Sequence, residues 1–307
     1  EKVSGASYEL NAENATDLAA MVEKLQNGDT LFVAEGIYQV NQPIVLDQDV
    51  YILSKEENTF PIFEPGDELG RKGVFQIANG AHVYLNGISV SGRSDLGDAS
   101  YGVKAIAPML RHYDLSIGNG RVANFNENNY AAIYAEKGTF ADSISISKTW
   151  FKDMSGAGLE LASENDDRGR YNAEFLKVDD CVFANMMGSA INIYRGGNDE
   201  STMGPFADIT NCTFVNVCNR ELGTVVRMIG VQNSTIHDCN FVESGKSGRS
   251  ILFEDPAWAN IKIYDCNLDN AGRIQTFYNT RVDRKSISSN STDFSQDAIS
   301  TWSLTAK

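Results

Sequence analysis

Four cysteines recur in one frame along this chain, and that recurrence constrains the fold more than any other feature. In Leu176-Lys-Val-Asp-Asp-Cys181-Val-Phe183 an alternating apolar pair is followed by a polar turn, then Cys, then an apolar residue two positions on. The frame returns in Ala207-Asp-Ile-Thr-Asn-Cys212-Thr-Phe214, Ser234-Thr-Ile-His-Asp-Cys239-Asn-Phe241 and Ile261-Lys-Ile-Tyr-Asp-Cys266-Asn-Leu268. Upstream, Ile144-Ser-Ile-Ser-Lys-Thr149-Trp-Phe151 keeps it with Thr in place of Cys, and fainter copies run from Leu115 to Val122 and from Val83 to Val90. A unit that returns in this way cannot bury its apolar face alone and must stack on its neighbours.

The register residues Val90, Val122, Phe151, Phe183, Phe214, Phe241 and Leu268 are separated by 32, 29, 32, 31, 27 and 27 residues, a period with insertions. Within each repeat the apolar residues alternate with period two over short runs rich in Val, Ile and Phe, with Asn, Asp, Ser and Gly at the corners, which excludes helical repeats. About 20–30 residues accommodate three short strands and three turns, so each repeat is one coil lying on the next at the ~4.8 Å strand spacing. The fold expected is all-β: a single-stranded, right-handed parallel β-helix of roughly eight or more coils. Its hand follows from the rule for parallel crossovers.

A solenoid must cover its ends. Residues 1–30 are expected to form an N-terminal cap, with Asn14 or Thr16 as helix cap and Leu18, Met21, Val22 and Leu25 at helical spacing. Coils are expected over 31–285, with Leu31-Phe32-Val33 as first strand. Residues 286–307 would give a last incomplete coil around Phe294 and a second cap. The whole chain reads as a single domain.

The ladder cysteines fall at one position in four successive coils and point the same way. They suit neither disulfides nor a tetrahedral metal, and read as small buried hydrophobes, with Cys218 outside the ladder. The residues before them, Asp180, Asn211, Asp238 and Asp265, are expected to bond backbone groups at the corner. Asp179-Asp180 is similar to the paired aspartates of polygalacturonase-type hydrolases, but the Gly-His-Gly and Arg-Ile-Lys partners of that motif are absent here.

With 26 Lys and Arg against 41 Asp and Glu, the formal charge is -15, which disfavours a general grip on nucleic acid or anionic lipid. No apolar run reaches the ~18–20 residues of a membrane span, so no membrane insertion is expected. The chain begins at Glu1 and reads as mature or trimmed; it has three His, too few for an imidazole-built metal centre.

Chemistry on a solenoid sits on an outward stripe of one strand and the loops beside it. The strand after each register residue reads Ala131-Ala-Ile-Tyr134, Leu159-Glu-Leu161, Ile191-Asn-Ile-Tyr194-Arg195, Val225-Val-Arg227-Met228, Ile251-Leu-Phe253-Glu254-Asp255 and Ile274-Gln-Thr-Phe277-Tyr278. Alternation turns Ile191, Ile193, Val226 and Met228 inward, and Asn192, Tyr194 and Arg227 outward between Glu160 and Glu254. Arg195 lies at the strand end beside the insertion 196–205. A stripe of Glu, Asn, Tyr and Arg with Trp258, Phe277 and Tyr278 nearby offers the planar hydrogen-bonding groups and aromatic faces that a sugar chain needs. The competing reading is a solvated face in which Arg227 pairs with Glu254 or Glu160.

The run Gly223-Thr-Val-Val-Arg227-Met-Ile-Gly-Val-Gln-Asn-Ser-Thr-Ile-His-Asp-Cys-Asn-Phe241 resembles the Leu-x-Leu-Arg-His-Gly and Val-x-x-Asn-x-Phe motifs of the chondroitinase B and alginate lyase family, within the pectin-lyase-like β-helix superfamily. Ile191-Asn-Ile-Tyr-Arg195-Gly-Gly-Asn198 falls where that family has Ile-Ser-x-Lys-Ser-x-x-Asn, and Gly28-Asp29-Thr30-Leu31 to Gly36-Ile37-Tyr38 resembles its opening passage. The degraded motifs also resemble β-helix domains of secreted bacterial polysaccharide-processing systems. In the family, a Lys removes the C5 proton of a uronate, an Arg assists, and Ca²⁺ held by Asn and Glu neutralises the substrate carboxylate.

Carried over by resemblance, Arg227 matches the Arg, while Arg195 takes the Lys position, where a guanidinium is a very poor base. Met228 takes the place of a His, and Gly188 and Ala190 stand near where two Glu ligands would be, so the family's Ca²⁺ ligands are absent and no cofactor is expected, with Ca²⁺ as the alternative. Tyr194, Lys152 and His237 are the alternative bases, and spacing does not choose among them. The expectation is a protein of the secreted, periplasmic or cell-surface compartments that binds an acidic polysaccharide or oligosaccharide. Arg227, Arg195 and Tyr194 are its candidate catalytic residues, and Asn192, Glu160, Glu254, Trp258 and Tyr278 its candidate substrate contacts. An active uronate lyase with a rearranged site and a structural or adhesion module are the alternatives.

Overall fold

The period-two alternation read from the repeats is realised as three parallel sheets wound around one core. The computed structural model describes residues 5–93, 101–126, 131–161, 172–194, 206–231, 233–254, 260–276 and 281–292, with the backbone alone described at Tyr194 and Glu254. Every third strand along the chain returns to the same sheet, giving sheets of eleven, nine and nine strands. One coil through the middle of the molecule runs through Phe206–Thr210 in the first sheet, Thr213–Val217 in the second and Thr224–Ile229 in the third. Each of these strands pairs in parallel with its counterparts one coil below and one coil above. The all-β parallel solenoid expected from the repeat is thus the architecture found.

The register residues stack as the repeat requires. Val90, Val122, Phe151, Phe183, Phe214, Phe241 and Leu268 are successive partners in the second sheet, and Tyr38 and Phe63 extend the column below them. The rings of Phe151, Phe183, Phe214 and Phe241 lie 4.6, 5.2 and 4.6 Å apart and nearly parallel, all fully buried. Burying one such side chain stabilises the fold by roughly 1.5–3 kcal/mol.

All five cysteines are free and buried. In the ladder, each Sγ lies within hydrogen-bonding distance of the carbonyl two residues earlier: Asp179 for Cys181, Thr210 for Cys212, His237 for Cys239 and Tyr264 for Cys266, at 3.2–3.3 Å. The hydrogen bond to Cys212, together with burial, pushes the Cys181 thiol well above its usual pKa. Cys218 is equally buried, at a corner on the far side of the second sheet.

The corners correct one expectation. Asp180, Asn211, Asp238 and Asp265 serve there through backbone conformation, with φ between 49 and 52°, the left-handed region that Asn and Asp tolerate best. Two of the side chains bond other side chains: the Asn211 amide donates to Asp179 Oδ1, and Asp238 Oδ2 faces His237 Nδ1 at 2.7 Å. Asn119 and Lys148 hold the same position in the preceding coils. A second left-handed residue follows each of these six at a constant distance of five positions, at Asn124, Asp153, Asn185, Asn216, Glu243 and Asn270.

The ends differ in detail from the sequence reading. Ser7–Leu10, not Leu31-Phe32-Val33, is the first strand described, and it pairs with Asp29–Val33. The helix spans Leu18–Glu23 behind a short 3₁₀ turn, Ala15–Asp17, and neither Asn14 nor Thr16 caps it by a side-chain bond. Asn14 instead ties the preceding turn together, accepting from the Asn11 N–H and donating to the Glu9 carbonyl. Leu18 and Leu25 are buried, with Met21 and Val22 packed on the same core. At the other end Arg281–Val282 pairs with Asn260–Tyr264, Ile287 packs on the core beyond the cysteine column, and Asn267 binds Ser288 and Asn290. Phe294 lies outside the described residues.

Candidate functional site

The third sheet carries the stripe that the sequence singles out. Pairing places Gln76, Lys104, Tyr134, Glu160, Asn192, Arg227, Leu252 and Gln275 on one row, about 4.8 Å per step. The flanking residues Ile191, Ile193, Val226 and Met228 are buried, as alternation requires.

Three members of the row are joined. The Asn192 amide donates to Glu160 Oε2 at 3.3 Å, and Arg227 Nη1 donates to Asn192 Oδ1 at 3.5 Å. Asn192 therefore separates the guanidinium from the carboxylate by one rung and satisfies both. Burial raises the pKa of Glu160, while the Asn192 amide and the Arg227 charge pull against that rise. The arrangement presents a permanent cation, an amide and a carboxyl group in line.

By register the residue across from Arg227 in the next coil is Leu252, which is buried, and Glu254, of which only the backbone is described, pairs with Ile229 two positions along the strand. Tyr194 is on that same row, opposite Ile229, and only its backbone is described. Arg195, Trp258, Phe277 and Tyr278 lie outside the described residues.

Two of the alternative bases are removed from the stripe by topology. Lys152 belongs to the second-sheet strand Trp150–Met154 and faces Asp153 at 3.4 Å. His237 ends the first-sheet strand Asn233–His237.

The sequence reading missed the lower part of the row. Lys104 Nζ binds Glu136 Oε1 at 2.9 Å and lies 4.8 Å from the centre of the Tyr101 ring, which stacks on Tyr134 at 4.7 Å. The run Tyr101-Gly-Val-Lys-Ala105 has the same alternation as Ala131 to Ala135, and extending the alignment one coil upstream reveals it.

The donor set does not fit the Ca²⁺ implied by resemblance. Ala190 is fully buried and has no ligating atom, and a Cβ at Gly188 would lie 2.3 Å from the Gly156 carbonyl oxygen, so a longer side chain has no room there. Among the described residues no group of three or more His, Cys, Asp or Glu is placed to hold a metal. No helix among them is long and apolar enough to cross a membrane.

By sequence, no protein-family model and no curated protein matches the chain. By structure, it is similar to the PL6 family alginate lyase AlyGC, with a TM-score of 0.74 and 23% identity over 93% of this chain, and to an arginine-to-alanine mutant of that enzyme, with a TM-score of 0.73 and 22% identity over 93%. The chain spans less than two-fifths of the length of either, 39% and 38% respectively. At this level of identity the likeness shows the fold alone, a parallel β-helix.

Proposed function

We propose that this is an exported protein that binds an acidic polysaccharide along the third-sheet row, with Arg227 as its anchor. The observation that carries this reading is the linked row Glu160–Asn192–Arg227, in which an amide bonds both a carboxyl group and a guanidinium on the outward side of the third sheet. A guanidinium recognises carboxylate or sulfate by two parallel hydrogen bonds. On a chain of charge -15 such a contact has to be local, since the overall field repels a polyanion. The alginate lyases of the same fold act on a substrate of that class by name, which supports the reading. Arg195, Tyr194, Glu254, Trp258 and Tyr278 are the further contacts that the sequence offers to the same ligand.

A second reading, β-elimination, is favoured by the raised pKa of Glu160. A buried carboxylate is a stronger base than an exposed one. In that reaction a base takes the C5 proton of a uronate, Arg227 neutralises the carboxylate as charge develops on it, and the C4–oxygen bond breaks with protonation of the departing sugar. Glu160 or Tyr194 would be the base, without a metal.

Incubation with alginate, polygalacturonate and chondroitin sulfate, with and without Ca²⁺, separates these readings. Retardation in glycan-containing gels without new unsaturated-uronate absorbance is the outcome expected. Absorbance that appears and is lost in Glu160→Gln would move the assignment to lyase. Neither signal would leave a structural or adhesion module.

A further inference from the structure

The outward face of the first sheet carries a groove of about 550 Å³ that has no part in the Arg227 row. Two rows of side chains line it. In one, Ser143, Phe175, Phe206, Asn233 and Asn260 are successive partners; in the other, Ser145, Lys177, Asp208, Thr235 and Lys262 are.

Phe175 is 53% exposed, and it stacks on Phe206 with ring centres 5.3 Å apart at 22°. The two stacked rings, Phe175 exposed and Phe206 partly so, form an apolar platform on the outer side of the sheet. The neighbouring row supplies charge. Lys177 and Lys262 are exposed and have no ion-pair partner among the described residues, three rungs or about 14 Å apart. Asp208 between them is engaged by the Thr235 hydroxyl and lies 3.6 Å from His237 Nε2, whose ring stacks on Tyr264 at 4.8 Å.

We propose that this groove is a second glycan-binding surface, in which the Phe175–Phe206 platform takes the apolar face of a sugar ring and Lys177 and Lys262 take acidic groups on the flanking sugars. Aromatic faces stack on the C–H face of a pyranose while its hydroxyls stay in reach of Ser, Thr and Asn, and that combination lines this groove. Charge complementarity favours an acidic ligand: two ammonium groups without an ion-pair partner among the described residues, against the one carboxylate of Asp208, leave the lining of the groove net positive. The choice of an acidic glycan rests on the reading given for the third sheet. The location does not, because the two surfaces lie on different sheets of the solenoid.

Affinity electrophoresis of the full chain in gels of alginate, polygalacturonate, chondroitin sulfate and a neutral glucan tests this, with thermal melting followed by circular dichroism as a folding control. The Phe175→Ala/Phe206→Ala double variant should bind acidic glycan about tenfold or more weakly while melting as a folded protein. Phe175→Tyr should bind as the parent does. Lys177→Ala/Lys262→Ala should weaken acidic glycans only and flatten the salt dependence.

If the double Phe variant binds like the parent while Arg227→Ala does not, this surface is excluded and the third-sheet reading stands. If Arg227→Ala binds like the parent and the double Phe variant does not, the reverse holds. Equal retardation by the neutral glucan overturns the acidic assignment. No retardation of the parent by any glycan overturns the proposal.

Discussion

Thr149 and Cys181 are equivalent residues one coil apart, and each directs its side-chain hydrogen at the backbone carbonyl two positions before it. Thr149 Oγ1 lies 2.9 Å from the Ser147 oxygen and Cys181 Sγ 3.3 Å from the Asp179 oxygen. Thr149 Oγ1 also accepts the Gly120 N–H at 3.2 Å, joining a coil that has no side chain at this place to those that have cysteine. Thr149→Ala should therefore lower stability by about 1–3 kcal/mol, because a buried donor loses its partner, whereas Thr149→Cys should cost less. Urea unfolding of the two variants measures the difference, and an equal loss in both would refute the equivalence.

The column of Phe151, Phe183, Phe214 and Phe241 is stacked ring on ring and fully buried. Phe214→Ala should destabilise by about 3–5 kcal/mol, and Phe214→Leu by clearly less. In a solenoid the loss acts on nearest neighbours, so the denaturation curve of Phe214→Ala should broaden or split as the flanking coils uncouple. A sharp transition displaced without change of slope would show that the coils unfold as one unit.

On the third sheet, Arg227→Ala should reduce retardation by alginate about tenfold, and Arg227→Lys should restore only part of it, because an ammonium cannot make the paired contacts of a guanidinium. Full binding by the lysine variant would mean that charge alone matters there.

Glu160 gives a pH signature. Its folded pKa is raised above the ordinary 4.5 by burial, so between those two values the folded state holds more protons than the unfolded one. Stability from this group is then complete below about pH 4.5 and declines as pH rises through the folded pKa. Glu160→Gln should remove that decline, leaving the variant at least as stable as the parent at neutral pH. Melting temperatures of both proteins from pH 4 to 8 decide it; parallel profiles would count against a perturbed Glu160.

The core of this molecule was legible because a stacked fold repeats its demands. Phe183, Phe214 and Phe241 announce themselves by spacing, and the cysteine column by its constant frame. What escaped was whatever departs from the repeat. Leu252 points outward by alternation yet is buried, so the polar stripe that alternation predicts on the third sheet is interrupted by an apolar residue across from Arg227 in the next coil. Lys104 escaped because its coil has no cysteine or Phe to mark it. The Phe175–Phe206 platform escaped for a different reason: Phe on a strand is the ordinary mark of a core position, and only the pairing with buried Leu176 and Ala207 beside it shows that these two rings face the other way.

The two left-handed corner residues lie five positions apart in six successive coils, although the coils themselves differ in length. Deleting one residue between Asn211 and Asn216 would turn Phe214 from the core to the solvent, since neighbouring strand positions face opposite sides. Extra residues on the other side of the coil leave that stretch untouched. The rigid short edge thus acts as a spine, and new loops, or whole inserted domains, can be tried out by evolution or by an engineer on the opposite side without disturbing how one layer sits on the next.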